Sequence, residues 1–252
     1  MIPSLVSRLA YKWRREGVRG LVLAALGRTV YRHLVLSETD LRDIPLPRCE
    51  LAIEVRRLRP EDVPAYFRSR SNSPEEILRR MERGSECYAA WHAGEIVSAA
   101  WWHPGEAWIE ELDRRFLLRP DELYCYDGWT IPRLRGRNLT PARAVLTMRM
   151  LREQDFVHAV TVSLPENRPI HRAWGKMGWR RFGTAGFVRM GPLRLEFVHA
   201  RGRTRWRLRR RPASERSEPP SAEPGPLLSG AGEGVSTSRR VPGERVADAE
   251  NR

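Results

Sequence analysis

From residue 52 to residue 198 the apolar positions switch repeatedly between alternation and a three-to-four-residue spacing, which predicts strands and helices in turn. Residues 52–58 read as a strand, and Pro60-Glu61-Asp62 opens a helix that runs to Arg70. Ser73-Pro74-Glu75-Glu76 is a sharper start signal. It supplies a hydroxyl cap, a proline at the first helical position and an acid three residues after the cap. That helix ends near Arg83, before Gly84. Residues 86–91 and 95–102 form a hairpin across His92-Ala93-Gly94. Trp91, Trp101, Trp129 and Trp179 read as core, and since Trp102 falls on the opposite face from Trp101, lining a pocket is the alternative for one of that pair. Residues 108–118, with Glu110, Glu111 and Asp113, fit a strand or a short helix equally. Residues 124–131 are an apolar, aromatic strand ended by Pro132. From Pro141 the positions Ala144, Val145, Met148 and Leu151 recur at helical spacing. Residues 157–164 form a β-branched strand, and Asn167 opens a second helix that closes at Gly178. Residues 179–182 and 187–190 read as strands around Gly183 and Gly186, and residues 193–198 as a further one.

Outside this stretch the pattern changes. Residues 4–36 read as one or two amphipathic helices. Leu5, Leu9 and Trp13 form one stripe, and Val18, Leu21, Val22, Ala25 and Leu26 another, with Arg8, Lys12, Arg14, Arg15, Arg19, Arg28 and Arg32 on the polar face. Such a helix packs on the neighbouring domain or a second subunit, or lies on an anionic membrane surface. Residues 37–50, with Pro45 and Pro47, are a connector. The division is therefore a basic helical segment at 1–45, a folded domain at 50–200, an Arg-rich run at 201–211, and a tail at 212–252. The tail has too few large apolar residues to bury and is expected to be disordered.

The formal charge is +14 over 252 residues. Residues 212–252 hold five Arg against seven Asp or Glu, so residues 1–211 carry +16. This charge suits polyanionic or membrane-surface company, or an arginine-rich proteome. The run from Arg201 to Arg211, with Trp206, invites a nucleic-acid or lipid reading beside that of a solvated flank, and nucleic acid is the less favoured partner. Cys49, Cys87 and Cys125 are three in number and widely spaced, which argues against a disulfide framework or a zinc site. No metal site is expected. No apolar run reaches membrane-spanning length, and the cations near the start are interspersed rather than leading, unlike a signal peptide. A cytoplasmic location follows, with the inner membrane face open through residues 4–36.

The candidate chemistry lies between Tyr124 and Trp179. Arg133-Leu134-Arg135-Gly136-Arg137-Asn138 packs three cations around one glycine between a strand and a helix N-terminus. Free backbone N–H groups and the helix dipole make such a turn an anion cradle.

TIPRLRGRNL, from Thr130, resembles the acyl-CoA signature of the GNAT superfamily of N-acetyltransferases, a strand and Pro followed by R-x-x-G-x-G/A. ENRPIHRAWGKMGWRRFG, from Glu166, is similar to that family's closing segment, and VRRLRPEDVPAYF to its first strand and helix. The likeness covers residues 53–198. It implies an α/β (α+β) fold of GNAT type, a mixed central sheet splayed at its middle parallel strands and flanked by helices. Here the helical N-terminal appendage and the tail are added. The resemblance implies acetyl-CoA as acyl donor. Its phosphates would meet Arg133, Leu134, Arg135, Gly136, Arg137, Asn138 and Leu139, and its pantetheine amides the strand backbone at Trp129, Thr130 and Ile131. Asn167 would sit near the pantetheine arm. Asn138 departs from the family's second glycine. Trp174 stands where many members have a Tyr that protonates the leaving thiolate, and an indole N–H is a very poor acid. His171, one turn earlier, or solvent would then meet the thiolate.

Transfer to an amine also needs a proton acceptor. Asp127, in the strand beside Gly128, is the first candidate, with a bulge or turn role as its alternative. Glu110 and Glu111 come next, unless they form a solvated face balanced by Arg114 and Arg115; His103, after a strand, reads as structural, with lining the acceptor site as its alternative. No Cys has a nucleophile's setting, so direct attack in a ternary complex is expected. The acceptor is an amine on a sugar, a small molecule or a protein. The basic N-terminal segment resembles that of bacterial members associated with polysaccharide clusters, which suits a sugar amine. A CoA-binding protein without transferase activity and a basic binding module are the competing readings. An oligomer is compatible with all three.

Overall fold

The structure is a computed structural model, and it describes residues 31–45, 49–70, 72–200 and 208–210. Eleven strands and four α-helices follow one another among these residues. They are β1 Tyr31–Asp40, β2 Glu54–Arg57, α1 Val63–Ser69, α2 Pro74–Glu82, β3 Glu86–His92, β4 Glu95–Pro104, β5 Glu106–Ile109, β6 Arg114–Leu117, β7 Glu122–Thr130, α3 Leu139–Arg152, β8 His158–Ser163, α4 Arg168–Gly175, β9 Arg180–Met190, β10 Leu193–Ala200 and β11 Leu208–Arg210.

Eight strands make one mixed sheet in the order β10-β9-β1-β8-β7-β4-β3-β2. Only the β7–β8 pair is parallel, and α3 is its crossover helix. A second sheet, β11-β6-β5, packs on the same face as α1 and α2. On that face Leu58, Val63, Tyr66 and Ile77 meet Trp101, while Ile109, Leu112 and Phe116 meet Leu34, Leu36 and Val160. On the other face α3 and α4 bury Val145, Met148, Leu151 and Trp174 against Tyr88, Trp102 and Leu123. The mixed, helix-flanked sheet agrees with the architecture expected above.

The turn chemistry at the first elements follows the sequence. Ser73 caps α2, its Oγ accepting from the Glu76 N–H at 3.1 Å, and Pro74 is the first helical residue. Ala93 and Gly94, at φ 49° and 76°, make the two-residue left-handed turn that a tight hairpin needs. Residues 108–118 resolve the strand-or-helix ambiguity by being both: a 3-10 turn, Glu110–Leu112, joins β5 to β6.

The N-terminal reading needs correction. Residues 31–36, assigned above to an amphipathic helix, and residues 37–40, assigned to a connector, form β1. This strand lies between β8 and β9 and is antiparallel to both. Leu34, Val35, Leu36 and Ser37 are all buried, because a central strand covered on both faces hides alternate and intervening side chains alike. Such a run has no period of two and passes for a helix. The folded unit therefore includes residues 31–40, ahead of the boundary at 50. Gly186 makes the close approach possible, since a Cβ there would stand 2.0 Å from the Arg32 carbonyl oxygen. The helical stripes at residues 4–30 and the tail at 212–252 lie outside the described residues. Of the Arg-rich run, Leu208–Arg210 is described and pairs with β6.

Candidate functional site

The parallel pair β7–β8 runs from Glu122↔His158 to Cys125↔Thr161 and stops. The Thr161 Oγ1 hydroxyl donates to the Cys125 carbonyl at 2.8 Å, the last tie between the two strands. Beyond it, β7 pairs with β4 alone and β8 with β1 alone, so a wedge opens in the middle of the sheet. The cause is local. Asp127 and Gly128 both oppose Ala100, one residue too many, which is a β-bulge and turns the strand. Asp127 has φ 48°, a left-handed value that Asp tolerates better than most side chains. Gly128 is exposed although it stands mid-sheet. Backbone from residue 126 to residue 130 thus faces the wedge without a strand partner on that side.

The anion cradle lies at the wedge's open end. Gly136 and Asn138 have φ 84° and 58°, so the asparagine does adopt the left-handed turn that its place in the loop requires. Asn138 makes no side-chain cap to α3. Its Oδ1 accepts instead from Lys176 Nζ at 2.7 Å. The first N–H groups of α3 are therefore uncapped and point out of the helix end, with Lys176 beside them. A Cβ at Gly136 would meet nothing within 4 Å, so the space in front of the loop is open. The three arginines differ in availability. Arg133 pairs with Glu95, and Arg135 donates from Nε to the Thr130 carbonyl at 3.1 Å. Arg137 forms no ion pair among the described residues; its carbonyl accepts weakly from the Cys49 thiol at 3.7 Å. Leu134 and Leu139 pack with Ile131 under the loop. Lys176 is the cation that reading the loop alone overlooks.

Asp127 does not sit as a proton acceptor should. Its carboxylate is 4% exposed and is held by Arg70 Nη2 at 2.6 Å and Arg80 Nη1 at 2.7 Å. Arg80 also donates from Nε to Glu76 Oε1 at 3.0 Å. Burial opposes the charge on Arg80, and its acid neighbours, Asp127 foremost, outweigh it. Aromatic rings surround the network. Trp101 and Trp129 donate from Nε1 to the Tyr66 hydroxyl at 3.1 and 3.0 Å, and the Arg80 guanidinium lies 5.3 Å from the Trp101 ring. A carboxylate shared by two guanidiniums has its lone pairs engaged, so the bulge role offered as the alternative for Asp127 describes it better.

The other candidates are dispersed around the wedge. Glu111, 29% exposed, lies 3.6 Å from Arg32 of β1 and on the face that carries α1 and α2. His171 Nε2 is 3.0 Å from the Leu164 carbonyl and 3.4 Å from Ser163 Oγ, fastening α4 to the end of β8. Asn167 caps α4, its Oδ1 accepting from Ile170 N–H at 3.4 Å. Trp174 is 8% exposed and stacks with Trp179 at 5.9 Å in the core under α3. Trp101 and Trp102 are both buried on their opposite faces, so neither lines an open pocket. His103 Nδ1 is 3.0 Å from Ser85 Oγ, which also accepts from the Tyr126 hydroxyl at 3.0 Å; burial lowers its pKa. Burial pushes the Cys125 thiol up to about 12, away from a nucleophile's setting, and Cys49, Cys87 and Cys125 are all free thiols. No cluster of three metal-ligating side chains occurs among the described residues, and no helix there is long and apolar enough to cross a membrane.

One residue at the wedge was not singled out above. Arg143 of α3 is 3% exposed and reaches under the bulge. Its Nε donates to Ser98 Oγ at 3.1 Å, and its Nη2 is 3.9 Å from where a Gly128 Cβ would be. Its Nη1 is buried with no hydrogen-bond partner. The sequence does carry a signal for it. Leu139, Arg143, Thr147 and Leu151 are spaced by four, and a cation in that stripe faces inward.

In fold, the chain is similar to an acetyltransferase of the GNAT family from Novosphingobium aromaticivorans, at 15% identity and a TM-score of 0.44, over 63% of each chain. It is similar as well to an acetyltransferase from the GNAT family of Colwellia psychrerythraea, at 10% identity and a TM-score of 0.45, over 66% of this chain and 59% of that one. A third is the GCN5-related glucosamine N-acetyltransferase region of a fungal multi-domain GH3 β-N-acetylglucosaminidase, at 12% identity and a TM-score of 0.46, over 77% of this chain and 23% of that one. The chain spans about three fifths of the length of the first two. No protein-family model matches it, and no curated protein does. At these identities the likeness is one of fold.

Proposed function

We propose that this chain is an acyl-CoA-dependent N-acyltransferase that moves an acetyl group from acetyl-CoA to an amine by direct attack in a ternary complex. The observation that carries the reading is the wedge between β7 and β8, with an uncapped helix N-terminus at its open end. In this reading the CoA pyrophosphate lies on the N–H groups of residues 136–140, flanked by Arg137 and Lys176. The pantetheine amides take the wedge side of the strand backbone at residues 129–131, with the Thr130 carbonyl exchanging its bond to Arg135 Nε for one to the arm. The arm then reaches inward and sets the thioester at the bulge, where Asp127 and Gly128 turn the strand. The amine enters from the face that carries α1, α2 and Glu111. Its nitrogen attacks the thioester carbon, the C–N bond forms, the C–S bond breaks, and the electron pair leaves on sulfur. The proton lost from nitrogen goes to water or, through water, to Glu111, the candidate carboxylate that keeps solvent access. Asp127 holds the bulge. Three free thiols, two of them raised by burial, fit a reducing cytoplasm. A sugar amine is the acceptor favoured by the basic N-terminal segment.

The test joins calorimetry with turnover. Wild-type protein should bind CoA, and Gly136→Glu should abolish binding by placing a carboxylate in the cradle. Acetylated product should appear with one or more members of a panel of amino sugars, polyamines and peptides. Equal CoA affinity in the two proteins removes the donor assignment. CoA binding with acetyl-CoA hydrolysis but no transfer across the panel favours a fold that binds CoA without catalysing transfer, the outcome that Trp174 makes worth testing.

A further inference from the structure

Arg143 is a cation buried without a counter-ion. The titratable groups that act on it are Cys125 of β7, Cys87 of β3 and Tyr66 of α1, and none is a carboxylate. Burial raises the pKa of all three, so they stay uncharged. Asp127 turns to the opposite face of the sheet, where Arg70 and Arg80 hold it. Ser98 Oγ, itself tied to the Trp129 carbonyl at 2.8 Å and to Thr130 Oγ1 at 2.9 Å, fixes the guanidinium by its Nε and leaves Nη1 unbonded. An unneutralised buried guanidinium is costly to keep and is a strong attractor for negative charge at short range. Because Gly128 has no side chain, nothing stands between the bulge and Arg143 Nη2, which lies 3.9 Å from where a Cβ would be.

We infer that Arg143 is a catalytic residue that stabilises the thiolate leaving group. The inference rests on the donor reading above. As the amine nitrogen bonds to the carbonyl carbon and the C–S bond breaks, negative charge grows first on the carbonyl oxygen and then on sulfur. Arg143 keeps its own proton throughout and meets that charge with a fixed cation in a water-poor place. The thiolate takes a proton from solvent after CoA leaves. This arrangement supplies electrostatically what Trp174 cannot supply as an acid, and it leaves His171 to its bond with Leu164.

The experiment measures the thiol of bound CoA itself. CoA is titrated on the protein by ultraviolet thiolate absorbance, as a difference against the complex with desulfo-CoA, so that protein thiols cancel. The wild-type complex should show a CoA thiol about 1–3 units below the ordinary value near 8.5. Arg143→Met should return it to that value, and Arg143→Lys should recover much of the shift. In turnover, Arg143→Met should lower kcat about 10–100-fold while the acetyl-CoA KM changes little, and Lys should partly rescue it. A bound thiol that titrates at the free value in the wild type overturns the assignment even if the Met variant fails to fold. So does a shift that survives in Arg143→Met. Absence of CoA binding to the wild type, seen by calorimetry, overturns the donor reading and this inference with it.

Discussion

Asp127→Asn separates a structural carboxylate from a catalytic one. The substitution keeps the shape, and Asn tolerates a left-handed φ about as well as Asp does, so the bulge geometry survives. What changes is charge. Arg70 and Arg80, with side chains 18% and 10% exposed, lose the carboxylate that lies 2.6 and 2.7 Å from them. Removing one partner of a buried ion pair typically costs about 3–5 kcal/mol. Glu76 still neutralises Arg80 from 3.0 Å, and the amide oxygen can still accept one hydrogen bond, so the loss should fall at or below the bottom of that range, about 2–3 kcal/mol. In a domain of this size that is a fall in Tm of about 4–12 °C. The assay is thermal and urea unfolding, combined with a double-mutant cycle against Arg80→Met. Coupling between the two sites should exceed about 1 kcal/mol. Turnover, measured well below the lowered Tm, should keep the wild-type pH profile. A variant with unchanged Tm and no coupling, but with turnover abolished across the pH range, would refute this reasoning and restore Asp127 as the general base.

Three further effects are read directly from stability measurements. Asp62 accepts from Arg56 at 2.6 and 2.8 Å and from the Arg59 N–H at 3.0 Å, which hold its pKa below the usual 3.8. Its contribution is therefore complete above about pH 4 and is lost as pH falls through the folded value, so Asp62→Asn should flatten the acid limb of the Tm profile. His103 is shifted down by burial, so the unfolded chain takes up its proton first, and stability falls as pH drops below about 6.5. His103→Gln should lessen the Tm slope between about pH 7 and pH 5, and an unchanged slope there would count against the burial argument. Leu36, fully buried between β8 and β9, should cost about 2–5 kcal/mol when changed to Ala, a loss measurable by urea unfolding. A change within experimental error would mean that β1 is not part of the sheet.

The elements whose identity is set locally were readable from the chain. Ser73 as a cap, the Ala93-Gly94 turn and Asn138 in a left-handed loop each follow from what one residue's backbone or side chain permits. The turn at the wedge's open end was readable for the same reason, since a glycine-bearing turn before a helix has a local signature. What was not readable depends on partners distant in sequence. β1 carries no alternation because β8 and β9 bury both its faces, and nothing within residues 31–40 announces those partners. Asp127 looked like a base because its strand was legible, whereas Arg70, at the end of α1, and Arg80, in α2, arrive from 57 and 47 residues away. The partner of Arg133 is Glu95, on the neighbouring strand β4, and Lys176 reaches the loop at Asn138 from beyond α4.

The bulge at Asp127 and Gly128 connects these features, and its energetics explain why it needs the arginines. A non-glycine residue at left-handed φ costs about 1–2 kcal/mol, and the wedge it opens forfeits the ladder bonds that β7 and β8 would otherwise make beyond Cys125. Two charge-assisted bonds from Arg70 and Arg80 contribute on the same scale, so the kink is offset on the face where Asp127 points. On the other face the following residue has no side chain, and the space it leaves admits Arg143. One strand thus keeps a neutralised anion on one side and an unneutralised cation on the other. If the arginine pair existed only to balance Asp127, no reason would remain for a third guanidinium at the same bulge without an acid. The proposed transfer, in which negative charge appears in the wedge between these faces only during reaction, would give it one.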